Sequence, residues 1–174
     1  MYSMIYMNEQ EILRILTNEF NTHWESGTVT ESRTKDFKRR DFYALINQLE
    51  SEKIISIIGP RRVGKTTIMF QLIEHLIKEK KVDPKRILYV SMDNVYIERD
   101  SEEPLRDIID TYTKYVLKEI SGKLKSKIYV MLDEIQYLDD WQKKLKTWHD
   151  YKYLIKFVGS GSSSVLIKKG SSHL

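Results

Sequence analysis

The sequence predicts an α/β fold in which a mostly parallel sheet lies between two layers of helices, a three-layer αβα arrangement. Short apolar, β-branched segments alternate with longer segments of helical periodicity, which is typical of strand–helix–strand units. The apolar segments are continuous, as expected for strands buried on both faces. A glycine-containing loop joins the first of these strands directly to a helix, which further favours a sheet with helical connections.

Residues 1–40 are expected to form an N-terminal helix and a basic linker ahead of the sheet. Residues 8–21 place apolar side chains on one helical face, so we expect this helix to pack on the core. A contact with a partner or a membrane surface is the alternative. Residues 25–40 have no apolar periodicity and end in the sequence KRR, so we interpret them as a linker. This basic cluster is either a solvated run of charge or a contact for nucleic acid.

Residues 41–174 are expected to form the core, with a short helix over 42–50 at its start. Apolar runs predict four strands, at 53–58, 86–92, 128–132 and 154–158. Helical periodicity predicts further helices at 66–79, at 104–120 and after Asp140.

The loop after the first strand carries the clearest motif of the chain. Residues 59–67 read GPRRVGKTT and match the phosphate-loop pattern G-x-x-x-x-G-K-[ST]. The glycines let the backbone N–H groups turn toward a polyphosphate, the lysine adds a positive charge, and the threonine hydroxyl can ligate Mg²⁺. We therefore predict that nucleotide is bound by Gly59, Pro60, Arg61, Arg62, Val63, Gly64, Lys65, Thr66 and Thr67.

A second motif is the apolar run IYVML followed by Asp133 and Glu134. Carboxylates at the carboxyl end of a buried parallel strand lie where open α/β sheets bind ligands. We predict that Asp133 holds Mg²⁺, directly or through water, together with Thr66. Glu134 is predicted to polarise the water that attacks the γ-phosphate. A glutamate beside the metal-binding aspartate favours hydrolysis over phosphate transfer to a small molecule.

A third motif is the segment LIKFVGSGSSSVL at residues 154–166. We predict a strand over 154–158, with Ser160 following its end and reaching the attacking water or the γ-phosphate. A flexible Gly/Ser loop is the alternative interpretation. The predicted catalytic residues are thus Lys65, Glu134 and Ser160.

These three motifs resemble those of the AAA+-type P-loop ATPases common in archaea and bacteria. The resemblance implies that Lys65 and Thr66 are Walker A residues, that Asp133 and Glu134 are the Walker B pair, and that Ser160 is sensor 1, where relatives usually carry threonine. It also implies ATP as substrate, Mg²⁺ as cofactor, and adenine contacts from residues 41–49.

The resemblance further implies a strand order in which the sensor 1 strand lies between the phosphate-loop strand and the Walker B strand. In this family a fifth strand covers the other side of the phosphate-loop strand. Only four strands are predicted here, which leaves the strand at 53–58 with an open edge. We find no match to a lid, a winged helix, an arginine finger or a sensor 2. We therefore expect a C-terminally incomplete core with weak hydrolysis, completed by a further domain or by self-association.

Composition agrees with a globular enzyme domain. The chain has 174 residues, of which 41% are hydrophobic and 31% charged, and it contains no cysteine, which excludes disulfides and thiol chemistry. The four histidines are too scattered to predict a metal site. Neither a membrane-spanning run nor a signal peptide is apparent, so we expect a cytoplasmic protein. The net charge of +4 permits nucleic-acid contact without requiring it. The alternatives to an ATPase are a nucleotide-dependent switch with little turnover and the ATPase part of a DNA-associated protein.

Overall fold

The computed structural model describes residues 9–94, 103–150 and 154–163. These residues form a parallel sheet of four strands with the spatial order β1-β4-β3-β2. The strands are β1 (Ile55–Gly59), β2 (Ile87–Ser91), β3 (Ile128–Asp133) and β4 (Ile155–Ser162). β4 thus lies between β1 and β3, which confirms the predicted α/β fold and the strand order that the resemblance implies.

β4 is longer than the sequence predicts, and this corrects one expectation. Ser160 lies inside the strand rather than after its end, because β4 continues to Ser162. Its neighbour β1 pairs with it throughout this segment, with Ile57 opposite Ser160 and Gly59 opposite Ser162. Glycine and serine are poor strand formers, but in a central strand the backbone hydrogen bonds to a neighbour outweigh that weak preference.

The helices flank the sheet on both faces. Within the described residues, four helices precede β1. The first three are α1 (Glu9–Ile15), which continues as a π-helical turn at Leu16–Phe20, and the one-turn helices α2 (His23–Ser26) and α3 (Glu31–Thr34). A fourth, α4 (Arg40–Ile46), leads into β1. The other helices in the part of the chain that the structure describes are α5 (Lys65–Lys78), α6 (Pro104–Tyr112) with a π-helical turn at Thr113–Leu117, and α7 (Trp141–Asp150). Short 3₁₀ turns occur at Pro84–Arg86, Ser121–Lys123 and Ile135–Tyr137.

Two hydrophobic clusters fill the space between the sheet and its helices. One face of the sheet packs against α4 and α5, with Phe42 and Leu72 among the buried residues. The other face packs against α1, α6 and α7, through side chains such as Leu16, Ile109 and Leu145. The N-terminal helix therefore packs on the core, as its apolar face predicts.

The outer edge of β2 is covered by side chains from residues 21–24. The buried Asn21 side chain donates to the carbonyl of Tyr89 and accepts from its N–H, at 2.9 and 2.7 Å. The Trp24 Nε1 atom donates to the Ile87 carbonyl at 2.7 Å, and His23 Nε2 lies 2.9 Å from the same oxygen. Burial lowers the pKa of His23, so the ring is neutral and its Nε2–H donates to this carbonyl.

The segment 25–40, predicted as a linker, lies along α5 instead of extending into solvent. The buried Gln71 side chain on α5 donates to the carbonyls of Thr34 and Phe37, at 2.7 and 3.0 Å. A cation–π contact adds to this attachment, with the Arg33 guanidinium 4.8 Å from the centre of the Phe70 ring. Apolar periodicity cannot reveal such docking, because the contacts are made mainly by backbone carbonyls.

The edge of β1 is more open than that of β2. Ser56 and Ile58 are exposed, and Ile58 retains 45% of its accessible surface. Within the described residues, β1 pairs with β4 alone, as the prediction of an open edge requires. None of the helices in the described ranges has the length and apolar character needed to cross a membrane.

Candidate functional site

The predicted phosphate loop lies at the carboxyl end of β1 and leads directly into α5, which begins at Lys65. Gly64, just before the helix, has a φ of +91°, a conformation that strongly favours glycine. Arg62 adopts a left-handed φ of +62°, which is uncommon for a residue with a side chain. This geometry turns the chain sharply between strand and helix and leaves the side chains of Arg61 and Arg62 exposed.

Lys65 is buried to 6% exposure, and its ammonium group lies inside the loop. The Nζ atom donates to the carbonyls of Gly59 at 3.2 Å and Pro60 at 2.8 Å. The lysine charge is therefore enclosed by the loop that the sequence predicts to bind phosphate. Both carbonyls are weaker acceptors than a charged phosphate oxygen.

Thr66 at the start of α5 contacts Asp133 at the end of β3. The Thr66 hydroxyl donates to Asp133 Oδ2 at 2.7 Å. The two residues are far apart in sequence, and the parallel sheet brings them to the same edge. A hydroxyl and a carboxylate are hard oxygen ligands of the kind that Mg²⁺ prefers, so this pair fits the predicted metal.

Asp133 is buried and receives three further hydrogen bonds. Tyr89 on β2 donates its hydroxyl to Oδ2 at 3.0 Å. The backbone N–H of Glu134 donates to Oδ1 at 3.1 Å, and the fully buried Ser160 hydroxyl donates to the same oxygen. Burial, and then the nearby Asp133 charge, raise the pKa of Tyr89, so its hydroxyl stays protonated and donates.

Glu134 lies at a sharp turn after β3. It has a left-handed backbone conformation, with φ 52° and ψ 45°, which is costly for a residue other than glycine. Its carboxylate accepts a hydrogen bond from the Gln136 side-chain amide, and the Gln136 carbonyl oxygen accepts from the backbone N–H of Ser162 at 3.0 Å. Glu134 is thereby connected to the end of β4.

The turn at Ile135–Tyr137 rests on two glycines of β4. A Cβ at Gly159 would lie 3.0 Å from Ile135 Cδ1, and a Cβ at Gly161 would lie 3.1 Å from Gln136 Oε1. Such distances are tighter than ordinary contacts between packed atoms. The glycines of the third motif therefore allow the turn that holds Glu134 to approach the sheet closely, and they do not form a flexible loop.

Sequence patterns did not identify three residues that contact the predicted site. Tyr89 and Gln136 contact the predicted carboxylates, and Arg39 donates from Nη1 to the Val63 carbonyl of the loop at 2.6 Å. The signal for Gln136 was its position just after the acidic pair. Tyr89 offered a polar atom in an otherwise apolar strand, whereas nothing in the local sequence indicates the Arg39 contact.

Residues 41–49, expected on the adenine side, form most of α4 and the turn after it. Phe42 is buried in the core, whereas Tyr43 remains 55% exposed. The KRR cluster also has definite neighbours. Arg39 contacts the phosphate loop, and the Lys38 ammonium lies 5.1 Å from the centre of the Phe42 ring.

Comparison with known proteins finds relatives of this chain in Methanocaldococcus jannaschii. The chain is 30% identical over 147 residues to the uncharacterized protein MJ1637 of Methanocaldococcus jannaschii, and 31% identical over 122 residues to MJ1544 of the same organism. These matches cover 79% and 70% of the chain but 29% and 24% of the two relatives. The chain thus spans less than a third of their length.

The solved structure of C. elegans PCH-2 aligns with this chain at a TM-score of 0.43 and 14% sequence identity. The alignment covers 80% of this chain and 37% of the PCH-2 chain. A family model described as an AAA domain matches residues 51–174, a range that contains β1 to β4, the phosphate loop and both predicted carboxylates. The chain belongs to the AAA domain family, whose fold supports a nucleotide-binding, ATPase-like function.

Proposed function

We propose that this domain binds ATP with Mg²⁺ and hydrolyses it. The observation that carries the proposal is the 2.7 Å contact between Thr66 Oγ1 and Asp133 Oδ2. It joins the phosphate loop to the acidic strand end and brings together two hard oxygen atoms beside the positive N-terminal end of α5, which supports a metal site there.

In this proposal the loop 59–67 binds the polyphosphate through its backbone N–H groups and Lys65. The lysine ammonium exchanges its bonds to the Gly59 and Pro60 carbonyls for a charge-assisted contact with the β- and γ-phosphates. Thr66 and Asp133 hold the metal, which neutralises charge on the phosphates when bound.

Glu134 is the proposed general base for the attacking water. Glu134 directly follows Asp133 in the sequence and is partly exposed, which supports this role. Ser160 contributes by orienting Asp133, because its buried hydroxyl donates a hydrogen bond to that carboxylate. A direct contact between Ser160 and the attacking water would require it to give up this bond.

A nucleotide-dependent switch with little turnover is the second candidate, and one observation favours it. The Glu134 carboxylate is already bonded to Gln136, which is in turn bonded to Ser162 at the end of β4. This bond restrains the Glu134 side chain, and a general base must be able to turn toward the attacking water. If release depends on a partner, the isolated domain binds nucleotide and turns it over slowly.

The substitution Glu134→Gln tests the choice between the two functions. We expect hydrolysis of Mg-ATP to fall by about 10²-fold or more, since a positioned base contributes a factor of that order. The affinity for Mg-ATP should remain within about twofold, because the loop and metal ligands are intact. Phosphate release and equilibrium titration with a fluorescent ATP analogue measure the two quantities.

Glu52→Gln is the matched control, because Glu52 is exposed and lies before β1, at the opposite end of the sheet from the phosphate loop. It should leave both quantities unchanged. Binding of Mg-ATP without measurable turnover in the unsubstituted chain would support the switch. Failure to bind nucleotide at all would reject both candidates.

A further inference from the structure

We propose that Tyr89 is a positioning residue for the metal-binding carboxylate of Asp133, and that Asn21 holds Tyr89 in place for this task. The inference rests on the proposed function and concerns the same site. It assigns to the N-terminal segment a part in the nucleotide chemistry, although that segment lies outside the region that the family model matches.

Tyr89 and Asp133 are in direct contact. The Tyr89 hydroxyl donates to Asp133 Oδ2 at 3.0 Å, the same oxygen that accepts from Thr66 at 2.7 Å. Both groups are buried, since Tyr89 is 5% and Asp133 is 3% exposed. Water therefore does not readily replace this bond, and the direction of the carboxylate depends on it.

Asn21 holds the backbone of Tyr89 in position. Asn21 is fully buried, and its side-chain amide bonds to both backbone polar groups of Tyr89 and to the Leu16 carbonyl at 2.9 Å. The amide of one asparagine thereby makes the backbone hydrogen bonds that a neighbouring strand would make at this position of β2. The register of Tyr89 along the sheet edge is fixed from the N-terminal side.

Two aromatic side chains pack against the ring of Tyr89. Phe70 on α5 lies 4.5 Å from the Tyr89 ring centre, and Phe20 lies 6.0 Å away in an edge-on arrangement. Since these rings confine the tyrosine on two sides, its hydroxyl has little freedom to leave Asp133. A residue from the N-terminal extension and another from α5 thus jointly orient a group at the predicted metal site.

The consequence concerns the metal rather than the nucleotide alone. Thr66 and Asp133 are the proposed metal ligands. Among the described residues, Tyr89 supplies the hydrogen bond to Oδ2 that does not come from a proposed ligand. When Thr66 engages the metal, Tyr89 keeps the carboxylate directed. Without the tyrosine hydroxyl, part of the free energy of metal binding must be spent on orienting Asp133.

The experiment compares the full chain with Tyr89→Phe, which removes the hydroxyl and keeps the ring. Binding of a fluorescent ADP analogue is measured first in EDTA and then during titration with MgCl₂. We expect the Mg²⁺ concentration at half-effect to rise about fivefold, equivalent to ~1 kcal/mol for one hydrogen bond. Affinity in EDTA should change less than twofold, because the phosphate loop is untouched.

Tyr112→Phe is the matched control. Tyr112 is also fully buried, but its hydroxyl donates to the Lys85 carbonyl at 2.6 Å, away from the phosphate loop. The Tyr112→Phe variant should lose about as much stability as Tyr89→Phe and keep the Mg²⁺ requirement of the wild type. Equal Mg²⁺ requirements in Tyr89→Phe and wild type, or a lower one in Tyr89→Phe, would overturn the inference while leaving the proposed function intact. Absence of any Mg²⁺ effect on the wild-type chain would overturn both.

Discussion

Asp133 shows how much of this site depends on single residues. One buried carboxylate accepts from Thr66, Tyr89, Ser160 and the Glu134 backbone. Each donor comes from a different part of the chain, and together they satisfy a charge that would otherwise be costly to bury. The carboxylate is thereby held in one orientation at the edge of the sheet, which is the condition for a precise metal ligand.

At the same scale, Lys65→Ala should weaken binding of Mg-ATP by about tenfold or more, because a charge-assisted phosphate contact is lost. Isothermal titration of both proteins measures the effect. Lys78→Ala is the control, since Lys78 lies at the other end of α5 and pairs at the surface with Glu74. Equal affinity of Lys65→Ala and wild type would remove the phosphate-loop assignment.

At the scale of elements, β4 supports the site in two ways. It brings the Ser160 hydroxyl within hydrogen-bond distance of the Asp133 carboxylate. Its glycines also allow the turn at Ile135–Tyr137 to lie close against the strand. The hydrogen bond from the Ser162 N–H to Gln136 joins that turn to the strand end. A displacement of this end of β4 would therefore be transmitted to Glu134 through one side chain.

This arrangement predicts the effect of Gly161→Ala. The added Cβ would meet Gln136 Oε1 at 3.1 Å and Ile135 Cγ1 at 3.3 Å, so Gln136 must shift and Glu134 with it. We expect turnover to fall about tenfold or more, since small displacements of catalytic groups are costly. Binding of Mg-ATP should stay within about twofold.

Single-turnover hydrolysis and an equilibrium titration separate these two effects of Gly161→Ala. Gln136→Ala provides a comparison, because it removes the contact with Glu134 without adding an atom to β4. Faster turnover in Gln136→Ala than in wild type would show that Gln136 restrains the base and favour the switch. Unchanged turnover in both variants would contradict the proposed support of Glu134 by β4.

At the scale of the whole molecule, the two edges of the sheet are covered to different extents. The edge of β2 is covered by the side chains of Asn21, His23 and Trp24. The edge of β1 pairs only with β4 among the described residues, and Ile58 is 45% exposed there. Since unprotected edges invite strand pairing, β1 is the edge where we expect a further strand or a second molecule to bind.

The covered edge leads to a prediction about stability. Asn21→Leu leaves both backbone groups of Tyr89 without their partner in a fully buried position. We expect the free energy of unfolding to fall by roughly 2–4 kcal/mol, the cost of unsatisfied buried polar groups. Denaturation by urea measures it, and Asn18→Leu, an exposed site on the same helical segment, should change stability by less than about 0.5 kcal/mol. A similar small change in Asn21→Leu would show that the N-terminal segment does not secure β2.

The order of the strands was implied by the resemblance to the AAA+-type P-loop ATPases. The sequence by itself determined the phosphate-loop motif, the acidic strand end and the parallel α/β fold. These features follow from local signals, namely glycine spacing, apolar runs and charged residues at strand ends. The sheet then brought Thr66, Asp133, Glu134 and Ser160 to one edge, as the pattern of parallel strands predicts.

Only the tertiary structure decided the contacts of Tyr89, Asn21, Gln136 and Arg39, and the inclusion of Ser160 within β4. The contacts of Asn21 and Arg39 depend on which backbone groups remain unpaired after the sheet has formed, and on which side chain lies near enough to satisfy them. The contact of Tyr89 depends on a carboxylate that the fold buries beside its hydroxyl. These pairings join residues distant in sequence, so local periodicity and spacing do not reveal them.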